Sequence, residues 1–208
     1  MSTDFETLKG QLSNIQTLSK SGGVKGFVGQ EMLRFISIAG TLLGNNFALD
    51  ESSSADERYL THVLARSLLE NYFTIIYLFD NPAETSSRYE ALKNSFKEDY
   101  RKLLNEPRLP RKNELEPADS TWRNLAGLPN VNDMLTQVQN VHGDRLNYLY
   151  FVYRIGSFDT HGRSLETIFE AVFGKTCNFP VLKIKYTFEL MANQYLVVLN
   201  DLRKSGAI

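Results

Sequence analysis

The chain has 208 residues, of which 42% are hydrophobic and 23% charged, and its formal net charge is −1. That is enough apolar material for a sizeable core, and the single cysteine, Cys177, excludes an intrachain disulfide and a cysteine-based zinc cluster. A charge so close to zero gives no long-range field toward nucleic acid, so any RNA contact must be local and specific.

Helical periodicity runs through the chain. Phe5, Leu8, Leu12, Ile15 and Leu18 recur at spacings of three and four and predict a first amphipathic helix, which Gly22 and Gly23 end. The stretch from Phe27 to about Phe47 predicts a second, with Met32, Phe35, Ile36, Ala39, Leu42 and Leu43 inward. A polar loop over residues 50–54 leads into a third helix, from Ala55 to Phe79, closed by Asp80-Asn81-Pro82. A fourth runs from near Ala83 to Leu104, with Lys93, Lys97, Glu98, Arg101 and Lys102 on its outer face. Residues 105–129 then hold Pro107, Pro110, Pro117 and Pro129 and read as a long exposed connection, with Trp122 as its one ordering residue. Arg108, Arg111, Lys112 and Arg123 make that connection a candidate basic surface beside its plainer reading as a solvated loop.

Helix returns over Val131 to Val141, then from Arg145 to Phe173 with a bend expected at Gly156, and last from Pro180 to Leu202. Val181, Ile184, Phe188, Met191, Tyr195, Val198 and Leu202 form the apolar stripe of that last helix. No segment alternates like a strand. The pattern predicts an all-α fold, a single helical bundle of about seven helices. It divides into an N-terminal hairpin over 1–47 and core helices over 55–104 and 130–204. The first residues lack the basic and apolar blocks of a secretory signal. Apolar runs such as Tyr72 to Phe79 are too short to cross a bilayer. The expectation is a cytoplasmic protein with no membrane partner.

Two polar stripes interrupt the apolar helices. Arg66 and Glu70, at i and i+4, share a face among Leu64, Leu68, Leu69 and Phe73. Arg88 follows on the next helix. Tyr150, Arg154, Ser157 and His161 form the second stripe, with Arg154 and His161 close to two helical turns apart. The stripes are expected to face one another. A permanent cation beside a titratable imidazole can hold a phosphate and move a proton. The same set can instead be a network that fixes helix register and does no chemistry.

The remaining candidates read plainly. His62 is taken as a partly buried polar residue, and His142, beside Gly143, as a helix-end residue. No His-x-x-x-His or Glu-x-x-His repeat supports a metal, and no cofactor is expected. Gly22 to Gly26 lacks the ending of a phosphate loop and reads as a hinge. No nucleophile elbow surrounds Ser157. The aromatics at helical spacing, Tyr72, Phe73, Tyr77, Phe79, Tyr148, Tyr150, Phe151 and Tyr153, suit core or dimer packing.

Arg154, six intervening residues and His161 on a late helix resemble the motif of the HEPN superfamily (higher eukaryotes and prokaryotes nucleotide-binding). The polar residue that often follows the family's arginine is here Ile155. The resemblance implies a helical bundle that dimerises and pairs two motifs in one cleft. It further implies metal-independent RNA cleavage in an antiphage or toxin–antitoxin setting, with Arg154 and His161 catalytic and Glu70, Arg66, Ser157, Tyr150 and Arg88 supporting. The implied partners are RNA, a second copy of the chain and a protein of the same system. Other HEPN members lack catalysis and bind nucleotides or proteins. An uncharacterised bacterial helical family with an R-x-x-x-E helix and a Y-x-x-x-S-x-x-x-H helix is similar over Arg66 to Glu70, Arg88-Tyr89 and Tyr153 to His161. The different-class alternative is a non-catalytic interaction or regulatory module whose Arg/Glu/His network is structural.

Overall fold

The computed structural model describes residues 3–45, 47–49, 53–139, 144–160, 165–175 and 182–206. Among the described residues the protein is all-α: nine α-helices and one 3-10 turn, with no strand. They are α1 (Asp4–Lys9), α2 (Leu12–Ser19), α3 (Gly23–Gly44), α4 (Ala55–Asp80), α5 (Thr85–Leu104), α6 (Val131–Gln137), α7 (Asp144–Thr160), α8 (Leu165–Phe173) and α9 (Ile184–Lys204). No helix among the described residues is long and apolar enough to cross a membrane.

Nine helices, against an expected seven or so, come partly from the N-terminus. Of the predicted stripe, Phe5, Leu8, Ile15 and Leu18 are buried, Leu12 is exposed, and the first helix is two. Thr3 opens α1, its Oγ1 accepting from the Glu6 amide at 3.2 Å, and Gly10 caps its end. Apolar period shows which face is buried; it is blind to a break that keeps the same face inward. Of the long helix expected over 145–173, α7 and α8 are described, and residues 161–164 between them lie outside the described residues. Helix α7 passes through Gly156 without ending there.

The chain forms two compact units, Met1–Tyr72 with Asn140–Ile208, and Phe73–Gln139. Helix α4 runs from the first into the second. In the first unit α2 and α3 fold back on one another through the hinge read at Gly22 to Gly26. Gly23 turns the chain at φ +68°, a conformation open to glycine. Six residues on, a Cβ at Gly29 would fall 2.5 Å from the Ser19 amide nitrogen, so only hydrogen fits between the helices there.

The core of this unit is aromatic. Phe35 of α3 meets Phe188 and Tyr195 of α9 edge to face, at 6.0 and 5.1 Å between centroids, and Tyr72 of α4 meets Tyr195 at 5.7 Å. Such pairs add to the 1.5–3 kcal/mol or so that burying one large apolar side chain supplies. Burial drives the Tyr195 phenol well above its ordinary pKa and raises that of Tyr72, so both rings remain neutral. Ile184, Phe188, Met191, Tyr195, Val198 and Leu202 are all buried, as the α9 stripe required; Val181 and Pro180 lie outside the described residues. Glu189 of α9 accepts from the Phe5 amide at 3.1 Å and fixes α1 against it.

In the second unit, Arg88 of α5 lies over the Tyr77 ring with its Cζ 4.0 Å from the centroid. It donates to the Tyr77 carbonyl and pairs with Glu84 at 2.6 Å. Residues 105–130 contain no α-helix, only the 3-10 turn Lys112–Glu114. Side chains of α5 hold them. Ser95 Oγ accepts from the Leu128 amide at 2.7 Å, the Tyr100 hydroxyl donates to the Glu116 carbonyl at 2.9 Å, and Trp122 sits edge-on to Tyr100.

Candidate functional site

The two polar stripes meet in the first unit, across α4 and α7. The buried residues of α7 are Leu146, Leu149, Val152, Gly156 and Asp159, a register of threes and fours that presses one face inward. Gly156 makes the approach possible. A Cβ there would stand 3.2 Å from the Arg66 Cβ and 3.2 Å from the His62 carbonyl oxygen. The bend expected at this glycine is therefore a near-contact between helices.

At one end of the seam, His62 and Asp159 form a sealed pair. His62 Nδ1 lies 2.7 Å from Asp159 Oδ2, and the side chains are 6% and 9% exposed. The two groups share one hydrogen bond, for which the imidazole can supply the hydrogen and the carboxylate the acceptor. His62, expected to be partly buried, is almost wholly withdrawn from water. Asp159 escaped the sequence reading. Its signal was its place on the inward register, three residues after Gly156, where an acid requires a partner.

Toward the middle, Arg66 takes three partners. Its Nη1 donates to Glu70 Oε2 at 2.5 Å, its Nε to Ser157 Oγ at 3.3 Å, and its Nη2 to the Tyr153 hydroxyl at 3.4 Å. The guanidinium also lies 4.9 Å from the Tyr153 ring centroid. Ser157 in turn donates to the Tyr153 carbonyl at 2.8 Å. Burial first, and then the Glu70 charge, hold the Tyr153 phenol above its ordinary pKa, while Arg66 and Arg154 pull the other way. Tyr150 stacks on Tyr153 at 6.1 Å.

The second predicted stripe divides between two faces. Ser157 turns toward α4, joined there by Tyr153, which was not part of the predicted stripe, whereas Arg154 is exposed. Among the described residues Arg154 has no ion-pair partner. His161 lies outside the described residues, as do His142 and Cys177. Arg88 belongs to the second unit, and its partners Tyr77 and Glu84 belong there too. Its role is to clamp the last turns of α4 to α5.

A second polar contact runs along the other flank of α4. Arg34 of α3 donates to Ser67 Oγ at 3.3 Å, and Asn71 donates to Glu31 Oε2 at 2.7 Å. Burial raises the Glu31 pKa, with Arg34 and the Asn71 bond opposing it. The basic surface read at 108–123 is diluted by acid: Arg111 pairs with Glu114 at 2.7 Å. No cluster of three or more His, Cys, Asp or Glu suited to a metal occurs among the described residues. Comparison of the chain with protein-family models, with curated proteins and with solved structures returned no match.

Proposed function

We propose that the chain is a HEPN-like, metal-independent endoribonuclease of a bacterial defence or toxin system. His161 takes the proton from a ribose 2′-hydroxyl, and that oxygen attacks the neighbouring phosphorus. The 5′-oxygen leaves and receives a proton, so no metal is needed. Arg154 holds the phosphate as charge grows on it. The observation that carries this reading is the exposure of Arg154 without an ion-pair partner among the described residues. Arg66, by contrast, is already engaged by Glu70, Ser157 and Tyr153. The same reading implies a homodimer and RNA as the substrate class.

The test is cleavage of RNA with EDTA present. Wild type is expected to cut, and His161→Ala and Arg154→Ala are each expected to lose about 100-fold or more, the usual worth of a positioned acid–base group or charge clamp. Cutting that survives His161→Ala removes the mechanism. The second reading, a non-catalytic helical interaction module, is favoured by one specific feature: the sealed His62–Asp159 pair, which is scaffold. Under it wild type cuts no RNA, and neither substitution changes anything in that assay.

A further inference from the structure

We propose that the solvent face of α7 binds an unpaired RNA strand, with Arg154 on a phosphate and Phe151 and Phe158 each stacked on one of the two bases that flank it. The buried residues of α7, Leu146, Leu149, Val152, Gly156 and Asp159, fix which side of the helix is inward. Phe151, Arg154 and Phe158 follow one another at spacings of three and four on the opposite side, so they form one stripe. Both rings stand in water, at 41% and 44% exposure, and Arg154 is exposed with no ion-pair partner among the described residues. The helix holds no acid between Asp144 at its start and Asp159, which is buried against His62. Two large flat apolar groups with a cation between them serve no core on that side.

The occupant follows from that order of groups. A guanidinium grips phosphate oxygens through its paired N–H donors, and any nucleobase offers a flat face to an aromatic ring. Phe151 and Phe158 stand about 10 Å apart along the helix axis, roughly three times the spacing of stacked bases. Two neighbouring bases that reached both rings would be drawn off one another, which a duplex forbids and a single strand allows. A second copy fits this stripe less well, because it would set Arg154 against Arg154 with no acid between them. The inference rests on the proposed function in placing a phosphate at Arg154, and it deepens that reading. Helical stacking holds the ribose 2′-hydroxyl out of line with the leaving 5′-oxygen, and splaying the two bases brings them into line.

The experiment follows the anisotropy of a labelled oligodeoxythymidylate, about eight nucleotides long, titrated with wild type, F151A, F158A and R154M at low ionic strength. DNA lacks the 2′-hydroxyl, so no cutting interferes, and the outcome is separate from that of the cleavage assay: loss of binding here removes the stacking stripe, whereas cleavage surviving His161→Ala removes the chemistry. Wild type is expected to bind the single strand more tightly than the same strand annealed to its complement. F151A and F158A should each weaken binding by about fivefold or more, the usual worth of one stacked base. R154M should weaken it as well, and flatten its salt dependence by about one released counterion. Circular dichroism of both phenylalanine variants should match wild type, since neither ring is buried, and the single-strand preference of wild type stands even if a variant does not fold. Absence of single-strand binding overturns the proposal, as does equal affinity for the duplex, or binding that either phenylalanine variant leaves unchanged. Absent strand binding together with self-association that F151A and F158A abolish would assign the stripe to a second copy instead.

Discussion

Helix α4 has two faces in the first unit, and they are built on different physics. Toward α9 it presents Tyr72, edge to face with Tyr195 of the aromatic core, and Leu68 and Ala65 of the same helix are buried. Toward α7 it presents His62 and Arg66 to Asp159, Ser157 and Tyr153. Apolar burial gives free energy in proportion to area and forgives small shifts. A polar seam gives little net energy, because its gains repay desolvation, but it punishes a missing partner and fixes where each helix must lie. The first face thus stabilises the unit. The second sets the register of α7 and keeps Arg66 in one orientation near the surface.

The largest expected loss comes from the aromatic face. Phe35→Ala should cost about 3–5 kcal/mol in urea unfolding, because Phe35 touches three other rings and the hole cannot close. Asp159→Ala tests the sealed end of the seam. It leaves a buried imidazole N–H without an acceptor and should cost about 2–4 kcal/mol. Asp159→Asn, which keeps an acceptor oxygen, should cost less; equal losses would mean that size, not hydrogen bonding, matters there. Gly156→Ala should cost about 1–2 kcal/mol by thermal melting, since both neighbours at 3.2 Å must give way.

The smallest effect lies on the other flank. Burial raises the folded-state pKa of Glu31, so its ionised form is a cost to folding. Stability linked to this group is complete below its unfolded value of 4.5 and is lost as pH rises through the higher folded value. Glu31→Gln should therefore stabilise slightly at pH 7, by less than about 1 kcal/mol, with no gain near pH 4. A gain that is the same at both pH values would contradict the sign.

The fold class and the inward stripes of α3, α4 and α9 were legible because three- and four-residue spacing records which side of a helix meets the core. That register also held the answer to Asp159, for it lies in line with Leu149, Val152 and Gly156. The polar residues of α7 do not point to it, because a stripe drawn through them passes through Arg154, which faces water. The division of the first helix at Gly10 and the clamp of Arg88 on Tyr77 were not legible. Both depend on partners that are close in space and invisible to periodicity. The pairing of Arg66 with Glu70 needed only the i, i+4 rule, whereas its bonds to Ser157 and Tyr153 required knowing which helix lay opposite.

The claim that the middle of the seam fixes register while adding little net stability is tested most directly by Arg66→Met, measured by urea unfolding at neutral pH. Methionine keeps much of the stem's packing and removes the charge. The account predicts an unfolding free energy within about 1 kcal/mol of wild type, since the Arg66–Glu70 pair opens onto a half-exposed carboxylate and such pairs give little net stability. A loss of about 3 kcal/mol or more would mean that the Arg66 network holds the unit together, and would contradict it.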